Sequence, residues 1–492
     1  MKYAVRIFAV LAFGLILATS AWAQWSSNPM QNLALSNIPG ADQVQPKLLP
    51  LPNNSWYVSW FNNNPNDPPP NGYDVYYQML DANGFEQFPH DGIQVAKLTL
   101  SSTEDYGLAI DAQGNALLAF QDDRKDPSNP QITAVKMSPT GQPLWGPSGV
   151  ALTWDPGFNG APKITATSDG NIVVAWTNNS NVVLQKLDPN GNPQWIGATA
   201  FDYGITISEP GFNYSLADLH AADNGSVIVS WVRNHGFGSN AYLYANKVSS
   251  TGQLLWAGNV KVFDGGSLQF GEFPYFVPDG SGGAVFSWYT NSPTLQVYAQ
   301  HILSDGTEAF GHNGSVGSTS SPNIRVSPSA SYRPSTQETF LFWTEEDQFQ
   351  TLNGVSGQKF NSTGARQWTD SGLTIVPLNS DSELFVQNVQ IGTGALVFWF
   401  DQPGFGSGTI QATKLAGDST TVCAQFPVSS ASSDKARLAA GIASSGLSAL
   451  TWEDDRAGEN DIYIQNVNPD CTLGIEDRLR QGMRVADSSR DQ

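Results

Sequence analysis

Carboxylates beside arginine are the first groups in this chain that could do chemistry. Asp122, Asp123 and Arg124 form one cluster, and Asp454, Asp455 and Arg456 repeat it far downstream. Glu345, Glu346 and Asp347 stand in the equivalent place of a third segment. Clustered carboxylates can ligate Ca²⁺ or accept hydrogen bonds from a polar ligand such as a sugar. A pair held ~5 Å or ~6.5–9.5 Å apart can hydrolyse a glycosidic bond. The same residues also serve as scaffold, since an Asp–Arg pair or an Asx turn fastens a loop without any ligand. Recurrence of the Asp–Asp–Arg unit favours scaffold, because a scaffold repeats where a single site does not.

Other chemical signals are sparse. His90, His220, His235, His301 and His312 are not paired at zinc-ligand spacing. No nucleophile elbow, phosphate loop or dinucleotide motif is evident, and the glycine-rich stretch 279–284 reads as a hairpin. The sialidase Asp-box is not matched, because Asp188, Gly191 and Trp195 have the wrong spacing. Phe237 and Phe405, each between two glycines, are candidates for contact with a partner or a sugar.

These residues lie in loops between short apolar strands, and the strands repeat. An apolar run ends in an aromatic at Trp60, Phe120, Trp176, Trp231, Trp288, Trp343, Trp399 and Trp452. The intervals are 60, 56, 55, 57, 55, 56 and 53 residues. A second marker, a turn glycine with an aromatic four residues on, appears as Gly84/Phe88, Gly141/Trp145, Gly191/Trp195, Gly252/Trp256, Gly306/Phe310 and Gly364/Trp368. One unit reads as four strands: 163–168, a turn at Asp169-Gly170, 171–176, 181–187 and 193–200. Such a sheet leaves both faces bare, and stacking eight around an axis covers them. The expectation is an all-β, single eight-bladed β-propeller of four-stranded antiparallel blades, favoured over seven blades. Residues 24–474 form it, and 475–492 are a C-terminal tail. The eighth unit lacks an outer strand. Residues 25–36 resemble the segment from Trp145 and are expected to supply it, closing the ring.

Composition agrees with a turn-rich β protein. The chain of 492 residues has 47 Gly and 30 Pro, and charged residues are only 14%. Its 44 acidic and 24 basic residues give a net charge of −20, which excludes an electrostatic footprint for nucleic acid. Residues 1–23 read as a signal peptide: Lys2 and Arg6, an apolar run, then Ala21-Trp22-Ala23. That run is too short to span a membrane, and no later stretch is long and apolar enough. The chain is therefore expected to be secreted, outside the cell or in the periplasm, as a monomer. An exported chain with two cysteines, Cys423 and Cys471, makes them a disulfide candidate, with two free thiols as the alternative.

The local words resemble those of secreted β-propeller repeat proteins of Gram-negative bacteria, with their G-x-x-x-W, GG-x-x-x-x-W-x-D-x-R and Y-x-Q elements. The stretches Gly282–Trp288, Val297–Gln300 and Thr451–Gly474 match that pattern. More distantly, Thr140-Gly141/Trp145, Thr251-Gly252/Trp256 and Thr363-Gly364/Trp368 resemble the docking motif of eight-bladed quinoprotein propellers. That resemblance implies that each Trp packs on the turn of the next blade. Cys423 falls near a docking position and Cys471 near a turn-glycine position, so the same rule implies that they face each other and pair. The quinone-site signature is absent, and no cofactor is expected beyond Ca²⁺ as an option.

Between strands two and three the loops vary from blade to blade, and variable loops on a rigid frame are where function sits. The first expectation is a non-catalytic exported propeller that binds a protein or a carbohydrate on that face. The alternative is a glycoside hydrolase or polysaccharide lyase using loop carboxylates.

Overall fold

The computed structural model describes residues 25–475, apart from 70, 155, 196–203 and 405. The signal segment, residues 476–492 of the tail and Phe405 lie outside the described residues. Eight antiparallel sheets form an eight-bladed β-propeller, and in blades one to seven the strands follow chain order outward from the axis. Blade three shows why these residues make strands. Ile172–Asn178 and Asn181–Leu187 are rich in β-branched and aromatic side chains, which fit a pleated, covered surface. Gly170 takes the left-handed conformation (φ +81°) that the intervening turn requires. Both faces of the second strands are buried between blades. All eight repeating aromatics, Phe120 included, are fully inaccessible.

Blade eight consists of Lys435–Ile442, Ser448–Asp454, Asp461–Val467 and, as its outer strand, Leu33–Ser36 from the opposite end of the chain. Two segments distant in sequence thus share one sheet.

The blades are joined by a recurring contact. The indole Nε1 of Trp25 donates to the Ala82 carbonyl at 3.0 Å, and Trp145, Trp195, Trp256 and Trp368 do the same to Pro189, Ser250, Ser304 and Gly417 at 3.1–3.3 Å. Each ring lies on the turn of the next blade. A Cβ added at Gly306 would stand 2.6 Å from the Trp256 ring, so only glycine admits the indole. Phe88 and Phe310 fill the same position without the hydrogen bond. Between blades seven and eight a Cys423–Cys471 disulfide takes the place of the ring.

An amide on the third strand holds each docking residue. Gln185 Oε1 accepts from the backbone N–H of Trp195 at 3.1 Å while its Nε2 donates to the Trp195 carbonyl at 3.0 Å. Gln78, Asn246, Gln300 and Gln358 accept in the same way from Phe88, Trp256, Phe310 and Trp368. This explains the Gln of the Y-x-Q element.

Among the described residues the outer strand of blade three is Ile205–Ile207; the expected strand at 193–200 lies outside them from residue 196 onward. Pro193 makes one isolated bridge to Leu187, and Trp195 then turns inward to dock on blade four. The aromatic of the glycine–aromatic unit is an inter-blade plug.

Candidate functional site

The loop carboxylates are engaged within the protein. Asp122 accepts from Arg124 Nε at 2.9 Å and Nη2 at 2.6 Å. Asp123 accepts from the backbone N–H and the hydroxyl of Thr99, tying blade one to blade two. Asp454 is buried and receives Arg456, Lys435 and the Trp452 indole N–H. Asp455 accepts from the Asp434 backbone N–H at 2.8 Å. Arg456 also lies over the Tyr463 ring at 4.1 Å. Glu345 receives both Nε and Nη2 of the buried Arg325 together with the Trp343 indole N–H. Glu346 accepts from Gln350 Nε2 at 3.0 Å. Arg124 and Arg456 hold Asp122 and Asp454 below the ordinary carboxylate range, against the opposing effect of burial. Among the described residues, no group of three or more His, Cys, Asp or Glu is gathered as a metal site.

A different set of residues converges on the axis. The innermost strand of most blades is interrupted by a bulge where it faces the channel. Register shifts occur between Val44 and Lys47, Gly160 and Lys163, Val326 and Ser329, Leu384 and Gln387, and Ala436 and Ala439. Gln45, Ala161, Ser327, Phe385 and Arg437 sit at these bulges with φ of 48–57°. A left-handed non-glycine residue costs on the order of 1–2 kcal/mol, and a bulge re-aims the side chains beside it. Here the bulges line a channel cavity of about 740 Å³.

Blade five breaks the pattern. Its innermost strand is split into Ser267–Leu268 and Phe276–Pro278, and seven residues, 269–275, stand opposite three of the next strand. The inserted loop would orphan the Tyr289 backbone N–H, and the Glu272 carboxylate accepts it at 3.0 Å. From the same loop, Tyr275 crosses the channel and donates to Asp105 Oδ2 of blade two at 3.2 Å.

Asp105 is the hub of the channel. Lys47 reaches its Oδ1 at 2.6 Å and Lys163 pairs with its Oδ2, joining blades one, two and three. The Lys163 ammonium also lies 4.8 Å from the Tyr275 ring centroid. Burial opposes the Asp105 charge, but the two ammonium groups overcome it and hold the carboxyl far below its ordinary range. Burial lowers Lys47 from its usual value, against the pull of Asp105. Lys163 opposes ionisation-linked rise at Tyr275, yet burial, Asp105 and Asp218 push the phenol up to about 12. Glu272 is driven the other way by burial, well above the carboxylate range. One cavity thus holds two carboxyls pushed in opposite directions, Asp105 down by its ammonium partners and Glu272 up by burial.

Beside the channel a second cavity of about 790 Å³ opens between blades four and five. Its walls present the amides of Asn179, Asn213, Asn234, Asn240 and Asn291. Phe237 and Phe270 stand at it, 96% and 76% exposed, with ring centroids 5.8 Å apart. Gly271, Glu272 and Phe273 line both cavities, so the groove and the channel adjoin through the blade-five loop.

Phe237 was visible in the sequence as an aromatic between glycines. Lys47, Asp105, Lys163, Glu272 and Tyr275 were not singled out. The bulge positions share no residue type, and Asp105 and Tyr275 are 170 residues apart. The one available signal was blade five itself, where GSLQFGEFPYFV replaces an innermost strand with a glycine- and aromatic-rich insert.

No protein-family model matches this chain, and no curated protein matches it. Among solved structures, a polysaccharide lyase of family PL25, an ulvan lyase bound to -[GlcA(1-4)Rha3S]-, aligns over 82% of this chain and 97% of that one, at 10% identity and a TM-score of 0.47. Prolyl oligopeptidase B from Galerina marginata aligns over 84% of this chain and 56% of that one, at 12% identity and a TM-score of 0.43. A protein from Lactobacillus plantarum aligns over 76% of this chain and 96% of that one, at 14% identity and a TM-score of 0.41. At such identities a likeness extends no further than the fold.

Proposed function

We propose that this protein is an exported propeller that binds a carbohydrate in the cleft running from the blade-four/five groove to the channel mouth. The observation that carries the reading is the pairing of Phe237 and Phe270, exposed and in edge contact, with a wall of asparagine side chains. Sugars present apolar C–H faces that stack on aromatic rings and hydroxyls that both donate and accept. Side-chain amides do both as well, and they cost less to desolvate than charges. Export rests on residues 1–23, and the disulfide fits an oxidising compartment. The test is a glycan array followed by calorimetry with the purified protein and the variants Phe237→Ala and Phe270→Ala. A bound glycan whose affinity falls about tenfold or more in either variant supports the reading. Unchanged affinity in both, or no glycan bound at all, sinks it.

A catalytic reading draws on the channel alone. Two carboxyls whose pKa values are pushed in opposite directions in one cavity, Asp105 and Glu272, suit acid–base work on a glycan. Glu272→Gln would abolish turnover of a cleaved glycan while leaving its binding intact. Absence of any cleavage by the native protein across the bound glycans would reject it.

A further inference from the structure

The fate of the lysines separates scaffold from site. In this acidic chain most buried lysines are spent on structure. Lys247 pairs with Asp223 and also donates to the carbonyls of Gly282 and Ser304. Lys186 pairs with Asp169 and donates to Ser250, and Lys435 donates to two carbonyls besides meeting Asp454. Each satisfies several of its three ammonium donors with fixed protein oxygens.

Lys47 and Lys163 are different. Both meet the same single carboxylate, Asp105, and neither donates to a carbonyl. Two ammonium groups thus share one directly bonded carboxylate, with Asp218 the next carboxylate acting on them. Arg437 brings a third cation to the cavity wall, its side chain 55% exposed, with Nε 3.1 Å from Glu453. The carboxyls on the wall are Asp105, already shared, and Glu272, which is buried and occupied with the Tyr289 N–H. On the wall itself three cations, Lys47, Lys163 and Arg437, face two carboxyls, Asp105 and Glu272, in a chain with 44 acidic and 24 basic residues.

We propose that the channel is an anion subsite, in which Lys47, Lys163 and Arg437 receive a carboxylate or sulfate substituent of the bound sugar. This rests on the carbohydrate reading above and narrows it to acidic glycans. A charge-assisted hydrogen bond in a partly enclosed cavity is stronger than a neutral one, and the free ammonium donors supply it without rearrangement. Phe237 and Phe270 would hold the neutral part of the chain outside, while the charged substituent enters beside Asp105.

The experiment is calorimetric titration of the full chain with three oligosaccharides of equal length: a uronate, a sulfated sugar and an uncharged glucan. Each is run at low and high salt, with the native protein, Lys47→Gln, Arg437→Gln and the charge-keeping Lys47→Arg. The expected result is that at least one acidic ligand binds about tenfold or more tighter than the glucan. That advantage should shrink with salt and be lost in Lys47→Gln or Arg437→Gln but kept in Lys47→Arg. Comparison of uronate with sulfate identifies the substituent. Equal binding of acidic and neutral ligands, or an advantage untouched by the glutamine variants, overturns the anion subsite and leaves the carbohydrate reading standing. Binding of none of them overturns both. Arg437 is exposed, so its variant retains a readout if Lys47→Gln fails to fold.

Discussion

The inter-blade plug can be tested by a double-mutant cycle on Trp256 and Gly306. Trp256 is 3% exposed and its Nε1 donates to Ser304 at 3.1 Å. Removing it as Trp256→Ala empties the junction between blades four and five and should cost about 3–5 kcal/mol. Gly306→Ala fails for two reasons that add. Its φ of +88° lies in the left-handed region, which costs a side chain ~1–2 kcal/mol. Its new Cβ would also stand 2.6 Å from Trp256 Cγ and 2.9 Å from Cδ1, an overpacking cost of ~1–3 kcal/mol. The single variant should therefore lose about 2–5 kcal/mol in all. In the double variant the ring is gone, so the clash vanishes and only the backbone strain remains. The two losses then fall short of additivity by the clash alone, about 1–3 kcal/mol. Urea unfolding at constant slope gives each corner of the cycle. Additivity within about 0.5 kcal/mol would refute the claim that glycine is required there to admit the indole.

Three further outcomes follow from the same geometry. Removing the disulfide in Cys423→Ser/Cys471→Ser, which opens a 48-residue loop, should cost about 4 kcal/mol in urea unfolding, comparable to losing a docking indole; no loss would mean that the junction holds without it. Glu383 is buried, and burial with the nearby Asp401 and Asp381 pushes its pKa up to about 7. The folded state therefore keeps a proton that the unfolded state releases, and stability falls as pH rises through the window from the ordinary glutamate value to about 7. Glu383→Gln should gain about 1–3 kcal/mol at pH 8 and almost nothing at pH 4; a gain of the same size at both would reject the titration. Because protein donors already occupy Asp122, Asp454 and Glu345, adding Ca²⁺ or a chelator should move the melting temperature by less than about 1 °C, whereas a rise of several degrees with Ca²⁺ would restore a metal site in the loops.

What the sequence made legible was whatever the fold must repeat. A docking indole needs a glycine turn below it, so Gly252 and Trp256 recur at fixed spacing around the ring, and the eightfold count with them. The aromatic of the second strand recurs because it is packed between blades wherever it occurs. Trp195 shows the limit of that pattern: alternation reads it into an outer strand over 193–200, while its indole docks on the Ser250 turn of the next blade. The channel was illegible for a different reason. A left-handed bulge at Gln45, Ala161, Ser327, Phe385 and Arg437 is imposed by the ring and has no residue signature, since none of the five is glycine or asparagine. Asp105 likewise gains its meaning only from Lys47, Lys163 and Tyr275, which come from three other blades.

These two classes of residue point to a rule for locating the site in such a ring. Closure demands that blades be nearly equivalent, so any feature present in all of them serves closure first. The Asp–Arg pairs recur in blades two and eight alone, and each arginine closes on the aspartate two residues before it. A binding site for one ligand must instead be built where the equivalence fails. Blade five fails it most: seven residues face three, Glu272 is committed to repairing the exposed Tyr289 N–H, and Tyr275 reaches across the axis to Asp105. The insertion has a cost in ladder hydrogen bonds and in a buried carboxyl. The same loop exposes Phe270 to the groove and forms the wall shared with the channel. A ligand bridging both cavities, as proposed above, would give that loop its role.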